Sequence, residues 1–410
     1  MLADCTPDLE AAIAKGEVHT AYDGFDPTAP SLTIGNLVSL SLLIHWQRAG
    51  LRPIVLLGGA TGRIGDPSGK NAERNMLDLE VLDHNLAHQT KQFAQYLDFE
   101  GENAAIIVNN FDFYKEMNVL TFLRDVGKCL TINYMLSKDS VKNRLETGMS
   151  FTEFSYQLLQ GYDYQYLATH YDCTLQMGGS DQWGNIMSGV ELVRRNLQKS
   201  VHALTCPLLT KPDGSKYGKS EGGNIWLDPN LTSPYQFYQF CVNTDDAQIG
   251  KLLRVLTLYS RTEVEAIEAE HALAPHLRAA QIAFANELTT RVHSAEALAS
   301  AKRVSALLFS KDTALLQSLT AEDWAMVANE IPAFSLSELP ENTTIEVFLS
   351  KLTPILGSNS EARREIKANA VSINRQKATT HDQLITTKDA LFGKYILVEV
   401  GKKNKYLVII

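Results

Sequence analysis

Short apolar runs alternate with longer amphipathic segments through the first half of the chain. Three of these runs, residues 53–62, 104–110 and 173–181, each end in glycine, asparagine, serine or aspartate. Parallel strands of an α/β sheet are apolar because helices cover both faces, and their carboxyl ends open into a ligand crevice. We therefore predict an α/β fold with a Rossmann-like parallel sheet and one shared polar site at that edge.

Helical spacing replaces the strand pattern between about residues 235 and 325. Residues 260–273 begin with Ser260 and Glu263 at the spacing of a capping box, and two further helical segments follow. Two prolines and several serines, threonines and asparagines in residues 331–344 are typical of a linker. The sequence therefore predicts an α-helical domain followed by a connecting segment.

The end of the chain forms a basic unit. A predicted helix carries Arg363, Arg364 and Lys367 on neighbouring turns, and β-like runs follow at residues 394–401 and 405–410. This combination favours RNA over a membrane as the partner, because the helix lacks the broad apolar face that lipid binding needs. We predict a small α+β RNA-binding domain here.

The composition is that of an ordinary globular protein. The 410 residues are 45% apolar and 21% charged, and this length indicates two or three domains. No apolar run approaches a membrane-spanning length, and the first residues lack the pattern of a secretion signal. The five cysteines are widely spaced, without a C-x-x-C pair that would suggest zinc. We predict a cytoplasmic protein with reduced cysteines, no metal site and no membrane partner.

The net charge argues against nucleic-acid binding, but its distribution changes that picture. The chain carries −9, whereas residues 361–410 hold ten lysines and arginines against five acidic residues, so the tail is +5 and residues 1–360 are −14. Binding to phosphates needs clustered Lys and Arg. The tail therefore fits a polyanion partner, although a basic surface is more often only a solvated face.

Residues 62–71, GRIGDPSGKN, have some features of a phosphate-binding P-loop. The spacing is wrong, because one residue too few separates the glycines and Asn71 occupies the position of the magnesium-binding Ser or Thr. A P-loop ATPase is therefore a distant interpretation. What remains is a glycine-rich strand end with one acid, Asp66, and two cations, Lys70 and Arg74.

Two further clusters carry polar side chains. Lys216 and Lys219 lie on a glycine-containing loop that could fold over a pyrophosphate, although an exposed basic turn is the simpler interpretation. Tyr156, Gln160 and Asp163 share one helix face, as either a buried polar network or a pocket wall. No Ser/His/Asp or Cys/His arrangement stands out, so any catalysis rests on holding and polarising phosphates rather than on a protein nucleophile.

In their order along the chain, these motifs resemble those of the bacterial tyrosyl-tRNA synthetases, which are class I synthetases. The resemblance covers essentially the whole chain, because it continues through the helical domain to the basic unit. The matching blocks are AYDGFDPTAPSLTIGNL (21–37), GGATGRIGDPSGK (58–70), VLTFLRDVGK (119–128), SFTEFSYQLLQGYD (150–163), MGGSDQWGN (177–185), LLTKPDGSKYGKS (208–220) and SPYQFYQF (233–240). Several ordered blocks together are a strong signal.

The resemblance implies a tyrosine–tRNA ligase. Tyrosine's carboxylate attacks the α-phosphorus of ATP to give tyrosyl-adenylate and pyrophosphate, and the tyrosyl group then passes to the 3′ end of tRNA(Tyr). ATP is a substrate that carries Mg²⁺, no zinc is needed, and the family is homodimeric. The implied domains are a Rossmann-like catalytic domain with a dimer-forming insertion (1–220), an α-helical anticodon-arm domain (221–330), a linker (331–342) and a basic RNA-binding domain (343–410).

The resemblance also implies roles for individual residues. L-Tyrosine would be bound by Tyr22 and Asp163 at the phenolic hydroxyl, by Tyr156, Gln160 and Asp66 around the ammonium group, and by Gln182 near the carboxylate. ATP would be bound by Gly24, Asp26, Gly35, Gly179, Asp181 and Lys219. Catalysis at the phosphates would use Lys216, Lys219, Ser220, Thr28, Thr33, Asn36, Lys70 and Arg74. tRNA would be bound by Arg363, Arg364 and Lys367.

Two departures from the family pattern concern the nucleotide. Thr33-Ile34-Gly35-Asn36 stands where relatives have a HIGH motif, with neither histidine present, and Asp23 replaces a residue that is often Cys. Thr33 reaches less far than an imidazole, so we expect a weaker γ-phosphate contact unless Thr28 or a water compensates. Two alternatives stay open: tryptophanyl specificity, and a synthetase-like RNA-binding protein without aminoacylation activity.

Overall fold

The computed structural model describes residues 2–68, 77–142, 144, 148–210, 217–220 and 223–410. They form two compact units, one made of Met1–Thr232 and Thr244–Leu288 and the other of Ser233–Asn243 and Thr289–Ile410. Within these ranges, no helix is both long and apolar enough to cross a membrane.

A six-stranded sheet organises the first unit. Its strands are β1 (Asp4–Cys5), β2 (Thr20–Phe25), β3 (Arg52–Leu57), β4 (Ile106–Asn109), β5 (Leu175–Gly179) and β6 (His202–Cys206), and a separate hairpin joins β7 (Lys219–Ser220) to β8 (Gly223–Asn224). The order is β1-β6-β5-β2-β3-β4, and all pairs are parallel except β1 with β6. The predicted Rossmann-like parallel sheet is confirmed.

Helices lie between these strands and after them along the chain. They are α1 (Leu9–Ala14), α2 (Leu37–Arg48), α3 (Leu79–Phe93), α4 (Phe111–Tyr114), α5 (Val119–Asp125), α6 (Ile132–Leu136), α7 (Asp139–Lys142), α8 (Phe151–His170), α9 (Trp183–Leu197), α11 (Asp246–Leu256), α12 (Arg261–Leu273) and α13 (Ala279–Val292). Most of α13 belongs to this unit, whereas α10 belongs to the second unit. The predicted capping box is present at the start of α12, where the Ser260 amide donates to Glu263 Oε2 at 2.7 Å.

The strand order creates a crevice beside the central strand. The chain passes from β2 to β3 and β4 on one side, and then returns to β5 and β6 on the other. Because the connections leave β2 and β5 in opposite directions, their carboxyl ends are the switch point where α/β sheets bind ligands. Gly24 and Gly179 lie at these two ends.

Alternate side chains of β2 pack on opposite faces of the sheet. Ala21 belongs to a cluster with Leu9 and Leu175, whereas Tyr22 lies in a cluster with Leu56 and Tyr164. The Tyr22 ring meets the Tyr164 ring edge-on, with 5.3 Å between centroids. This packing on all sides of the ring fixes where its hydroxyl group points.

A buried ion pair anchors the start of α8. Arg144 donates to both carboxylate oxygens of Glu153, at 3.1 and 2.9 Å, and to the Gly148 carbonyl oxygen at 3.1 Å. The two charged side chains are only 4% and 3% exposed. Ser150 caps the same helix by accepting from the Glu153 amide. The first turn of α8 is therefore held by both a cap and an ion pair.

The second unit contains a five-stranded sheet and its own helices. The strands are β9 (Ala333–Ser335), β10 (Val371–Ile373), β11 (Gln376–Lys377), β12 (Tyr395–Val400) and β13 (Asn404–Ile409), in the order β11-β10-β12-β13-β9. The helices are α10 (Pro234–Val242), α14 (Ala295–Phe309), α15 (Leu315–Ser318), α16 (Ala321–Glu330), α17 (Ile345–Val347), a π-helical turn (Phe348–Leu352) and α18 (Asn359–Lys367). Its core includes Phe348, Val371 and Ile396.

One element of the second unit differs from the sequence prediction. Residues 331–342 were predicted to be a linker, yet they contain a strand, β9, which pairs in parallel with β13. The two prolines of this segment flank β9 instead of interrupting it, so its amides remain available to the ladder. The predicted basic helix and the two β-like runs are present as α18, β12 and β13.

Candidate active site

A cleft of about 380 Å³ opens at the carboxyl ends of the central strands in the first unit. This volume is within the range of small-molecule sites. The residues around it come from the ends of β2, β3 and β5, from the turn before α2, and from one face of α8. The polar strand ends predicted to share one site are therefore brought together, and the α8 stripe of Tyr156, Gln160 and Asp163 forms part of the wall.

Two buried polar groups face the cleft without a hydrogen-bond partner among the described residues. They are the Tyr22 hydroxyl and Oδ1 of Asp163. The two residues are 0% and 2% exposed, respectively. Asp163 Oδ2 accepts from Asn110 Nδ2 at 3.2 Å. Leaving such a group unpaired costs about 1–3 kcal/mol. A ligand hydroxyl that pairs with both groups would remove that cost.

Burial also changes the acidity of this pair. It raises the pKa of Asp163 to about 8, and the charge of Asp26 acts in the same direction, while the hydrogen bond from Asn110 opposes it. Burial raises the pKa of Tyr22 well above its usual value, with a further contribution from Asp163. At neutral pH the Tyr22 phenol therefore keeps its proton, and in the ligand-free protein the Asp163 carboxyl is protonated in most of the molecules.

A hydrogen-bond network holds two of the cleft carboxylates. Asn110 accepts from the Ala60 amide at 2.7 Å and donates to Thr61 Oγ1 at 3.0 Å as well as to Asp163. Thr61 donates to Asp26 Oδ1 at 2.7 Å, and the Tyr156 hydroxyl donates to Asp26 Oδ2 at 2.9 Å. Asn110 and Thr61 were not among the site residues predicted from the sequence.

Glycine makes room for this network. A Cβ atom at Gly58 would lie 2.0 Å from Asp26 Oδ1 and 2.6 Å from Thr61 Oγ1, so any side chain at this position would displace the Asp26 carboxylate. The glycine-rich end of β3 therefore serves close packing beside the cleft.

A second acid, Asp66, lies within its own set of donors. It accepts from Gln182 Nε2 at 2.8 Å, from Asn185 Nδ2 at 3.3 Å and from the Ser68 amide at 2.9 Å. Gln160 reaches the same cleft, and its buried Oε1 has no partner in the described part of the chain. The predicted tyrosine-binding residues all line this one cavity.

Eight of the predicted nucleotide residues line the same cleft. Gly24, Thr28, Gly35, Gly179 and Asp181 are there, as are Asp26, Thr33 and Asn36. Asp23, which was singled out without a role, accepts from the Gly24 amide at 2.8 Å. Burial raises the pKa of Asp23 to about 7, although a hydrogen bond from Ser39 opposes the shift.

Backbone hydrogen bonds join the turn before α2 to Ile225, and Ile225 to Gly218. The Ile34 amide donates to the Ile225 carbonyl at 2.9 Å, and the Ile225 amide donates to the Gly218 carbonyl at 2.8 Å. Gly218 has φ +91°, and a Cβ atom there would lie 2.6 Å from Ile34 Cγ2. Lys219 and Ser220 form β7 directly after it.

Three of the predicted phosphate-binding cations, Lys70, Arg74 and Lys216, lie outside the described residues. The predicted tRNA-binding residues are exposed on α18 of the second unit, where Arg363 pairs with Glu346, and Arg364 pairs with Glu361 and Glu365. In the ranges that the structure covers, no group of His, Cys, Asp and Glu is arranged to hold a metal ion.

The raised pKa of Asp163 should make folding stability depend on pH. An unfolded chain returns this carboxyl to an ordinary pKa of about 4, whereas the native value is about 8. Between these values the native state binds more protons, so the free energy of unfolding falls as pH rises. We expect Asp163→Asn to flatten this fall between pH 5 and 8 in urea denaturation of the ligand-free protein. Asp125→Asn, at an exposed position, should keep the wild-type slope; equal slopes in all three proteins would contradict the assignment.

Comparison with known proteins assigns the family. A profile described as tRNA synthetases class I (W and Y) matches residues 14–310, and one described as a tyrosine–tRNA ligase SYY-like C-terminal domain matches residues 323–409. The tyrosine–tRNA ligase of Bacteroides thetaiotaomicron is 49% identical, over 100% of this chain and 97% of its own. That of Cytophaga hutchinsonii is 50% identical, over 100% and 96%.

A solved structure agrees with these matches. The C-terminally truncated mitochondrial tyrosyl-tRNA synthetase of Aspergillus nidulans superposes with a TM-score of 0.68 at 30% identity, covering 75% of this chain and 91% of that one. These findings confirm the resemblance seen in the sequence motifs. The chain therefore belongs to the class I tRNA synthetases of the W and Y family and, within it, to the bacterial tyrosine–tRNA ligases.

Proposed function

We propose that this protein activates L-tyrosine with ATP, releases pyrophosphate, and transfers the tyrosyl group to the 3′ end of tRNA(Tyr). The observation that carries the substrate assignment is the unpaired Tyr22 hydroxyl beside the unpaired Oδ1 of Asp163. A phenol has one hydrogen to donate and lone pairs to accept with, so it satisfies both groups at once. An indole has an N–H that can donate to Asp163 but no lone pair to accept from the Tyr22 hydroxyl, which disfavours tryptophan.

The rest of the tyrosine is bound by the acids and amides around the same cavity. Asp66 and Gln160 accept from the ammonium group, and Tyr156 closes that side of the pocket. Gln182 already donates to Asp66 at 2.8 Å, so it lies where it can also orient the substrate carboxylate. That carboxylate is the nucleophile, and the protein's task is to hold it in line with the α-phosphorus.

The nucleotide lies along the ends of β2 and β5 and against the turn before α2. Gly24, Gly35 and Gly179 permit close approach of the backbone, and Asp181 and Asp26 bind polar groups of the nucleotide. The residues proposed to contact the phosphates are Thr28, Thr33, Asn36, Lys70, Arg74, Lys216, Lys219 and Ser220. Mg²⁺ enters with ATP as part of the substrate. Charge that develops on the phosphates would be stabilised by these donors, so no protein nucleophile is required.

Exchange of labelled pyrophosphate into ATP tests this function. The purified protein should catalyse exchange that depends on tyrosine, and it should charge tRNA(Tyr) in the second step. Exchange with tryptophan in place of tyrosine would replace the assignment with tryptophanyl specificity. If neither amino acid supports exchange while the protein still binds tRNA, the chain is a synthetase-like RNA-binding protein without aminoacylation activity.

The basic end of the chain supports the tRNA assignment. All three cations of α18 are exposed, but Arg363 is engaged by Glu346 and Arg364 by neighbouring glutamates. Among the carboxylates that the structure describes, none forms an ion pair with Lys367. We propose that Lys367 is the first contact with tRNA phosphates and that the arginines exchange partners on binding.

The domain boundaries at 220, 330 and 342 remain predictions, as does action in the cytoplasm.

We propose a homodimer, which would cover exposed apolar side chains between β4 and β5 of the first unit. Val119, Leu120, Leu123, Ile132 and Phe151 are all at least 49% exposed, and the first three lie on α5 at helical spacings. Isolated exposed apolar residues are common, but a concentration of large ones in one stretch indicates an interaction surface. A second copy of the chain is the occupant that we propose.

A charge placed in this surface should dissociate the dimer. Leu120 is 72% exposed, so Leu120→Glu leaves the folded protomer intact but adds a carboxylate that the interface would have to desolvate. We expect light scattering coupled to gel filtration to give a dimer mass for the wild type and a monomer mass for the variant. Ile13→Glu, at an exposed apolar position on α1, is the matched control and should remain dimeric. A monomeric wild type would refute the proposed assembly.

A further inference from the structure

Helix α3 carries two histidines on its solvent-facing side. His84 and His88 are four residues apart, both are exposed, and their ring centroids are 4.3 Å apart. Residues at this spacing lie on the same face of a helix. Neither ring is hydrogen-bonded to another described residue, and the neighbouring acid Asp83 is already paired with Arg63 at 3.1 Å. The two imidazoles therefore form a pair whose nitrogen atoms are open to water.

The separation of the two rings suits a shared metal ion. Imidazole nitrogen binds zinc at about 2.0–2.1 Å, so two rings on one such cation place their centroids roughly 4.5–5 Å apart. The rings of His84 and His88 are already close to that separation, at 4.3 Å. Two histidines four residues apart on a helix are also the spacing with which helical sites bind zinc. A small rotation of each side chain would therefore bring both rings onto one cation.

The backbone of α3 is held in place from its other side. Buried Asn85 donates to the Pro27 carbonyl at 3.0 Å, and buried Gln89 donates to the Ala29 carbonyl at 2.9 Å. The turns that carry the histidines therefore have little freedom to lose when a ligand binds, which favours binding. A cation that bridges the histidines would, in turn, stabilise the helix that holds these two carbonyl groups.

We propose that His84 and His88 form a binding site for a late first-row divalent cation, of the class of Ni²⁺, Cu²⁺ and Zn²⁺, on the outer face of α3. Imidazole suits these cations, whereas Mg²⁺ takes oxygen ligands, so the site differs in chemistry from one for the Mg²⁺ that ATP carries. The described residues hold no group of three or more metal-ligating side chains, so water completes the coordination. Such a site departs from the sequence-based prediction that the protein has none.

Calorimetric titration of the untagged full-length protein with Ni²⁺ tests this site, because Ni²⁺ does not oxidise the five cysteines. The wild type should bind one Ni²⁺ per protomer. His84→Asn and His88→Asn should each weaken binding at least roughly 10-fold, since even residues that only orient a metal ligand change affinity by about 10- to 100-fold. Zn²⁺ should compete with Ni²⁺, and excess Mg²⁺ should not. Ni²⁺ should raise the melting temperature of the wild type but not that of either variant.

The matched control moves one histidine without changing the composition. His88→Lys combined with Lys91→His keeps both side chains at exposed positions of α3 but separates the histidines by seven residues, about 10 Å along the helix axis. This exchanged variant should bind Ni²⁺ as weakly as His88→Asn. His276→Asn, at an exposed position outside α3, should keep full affinity.

Melting temperatures without metal identify any loss of binding that comes from unfolding. Wild-type affinity in His84→Asn, or in the exchanged variant, would overturn the proposal, because Ni²⁺ would then bind elsewhere. A wild type that binds neither Ni²⁺ nor Zn²⁺ would overturn it as well.

Discussion

Asp163→Ala is expected to lower kcat/KM for tyrosine by roughly 10- to 100-fold while changing kcat/KM for phenylalanine little. The variant removes an acceptor for the phenol and leaves the Tyr22 hydroxyl with only one possible partner on the ligand. Phenylalanine loses nothing, because its ring never reached Asp163 with a polar atom. Discrimination between the two amino acids should therefore fall by the same 10- to 100-fold factor, measured by pyrophosphate exchange with each.

Variants at two tyrosine positions test the same contact with the phenol. Tyr22→Phe deletes only one neutral hydrogen bond, so we expect a smaller loss of about 2- to 10-fold for tyrosine. Tyr164→Phe is the matched control, because its ring packs against Tyr22 but its hydroxyl donates to the His202 carbonyl at 2.7 Å, away from the cleft. It should leave the tyrosine-to-phenylalanine ratio unchanged. If Asp163→Ala also left that ratio unchanged, the phenol would bind elsewhere.

Arg144→Met is expected to reduce the free energy of unfolding of the first unit by about 3–5 kcal/mol. The cause is the buried carboxylate of Glu153, which would lose both guanidinium hydrogen bonds in a place that is only 3% exposed. Loss of the pair should also loosen the first turn of α8, which begins at Phe151, five residues before Tyr156 in the wall of the cleft. Urea denaturation followed by circular dichroism measures the change.

Removing both members of the pair should cost much less than removing one. In Arg144→Met with Glu153→Met no charge is left buried, so most of the lost stability should return. Arg194→Met breaks an ion pair with Glu191 in which the arginine is 64% exposed, and we expect a change below about 1 kcal/mol. A single Arg144→Met variant as stable as the double variant would show that Glu153 is not held as a buried charge.

The elements that follow from local patterns were predicted well. The apolar runs became β3, β4 and β5 because burial on both faces demands apolar side chains, and Ser260 with Glu263 marked the start of α12 because a capping box is a local contact. The stripe on α8 was also readable, since helical periodicity alone places Tyr156, Gln160 and Asp163 on one face.

The supporting residues could not be predicted in the same way. Asn110 acts on Asp163 from 53 residues away, and Thr61 reaches Asp26 from 35 residues away, so both depend on strand order and not on spacing along the chain. The only signal was that Asn110 ends an apolar run, a position that opens towards the site. Thr33 and Asn36 were predicted as separate contacts, although residues three apart at a helix entry can form a capping box, and these two do.

The contact between Gly218 and Ile34 limits how this protein can diverge. Position 218 excludes larger residues for two independent reasons, a backbone angle of +91° that side chains disfavour and a neighbour 2.6 Å from where a Cβ would lie. A smaller residue at position 34 would relieve only the steric clash and not the backbone strain, so a substitution there cannot fully compensate for a larger residue at position 218. Substitutions at these two positions are therefore coupled, and the turn before α2 and the residue before β7 must change together during evolution.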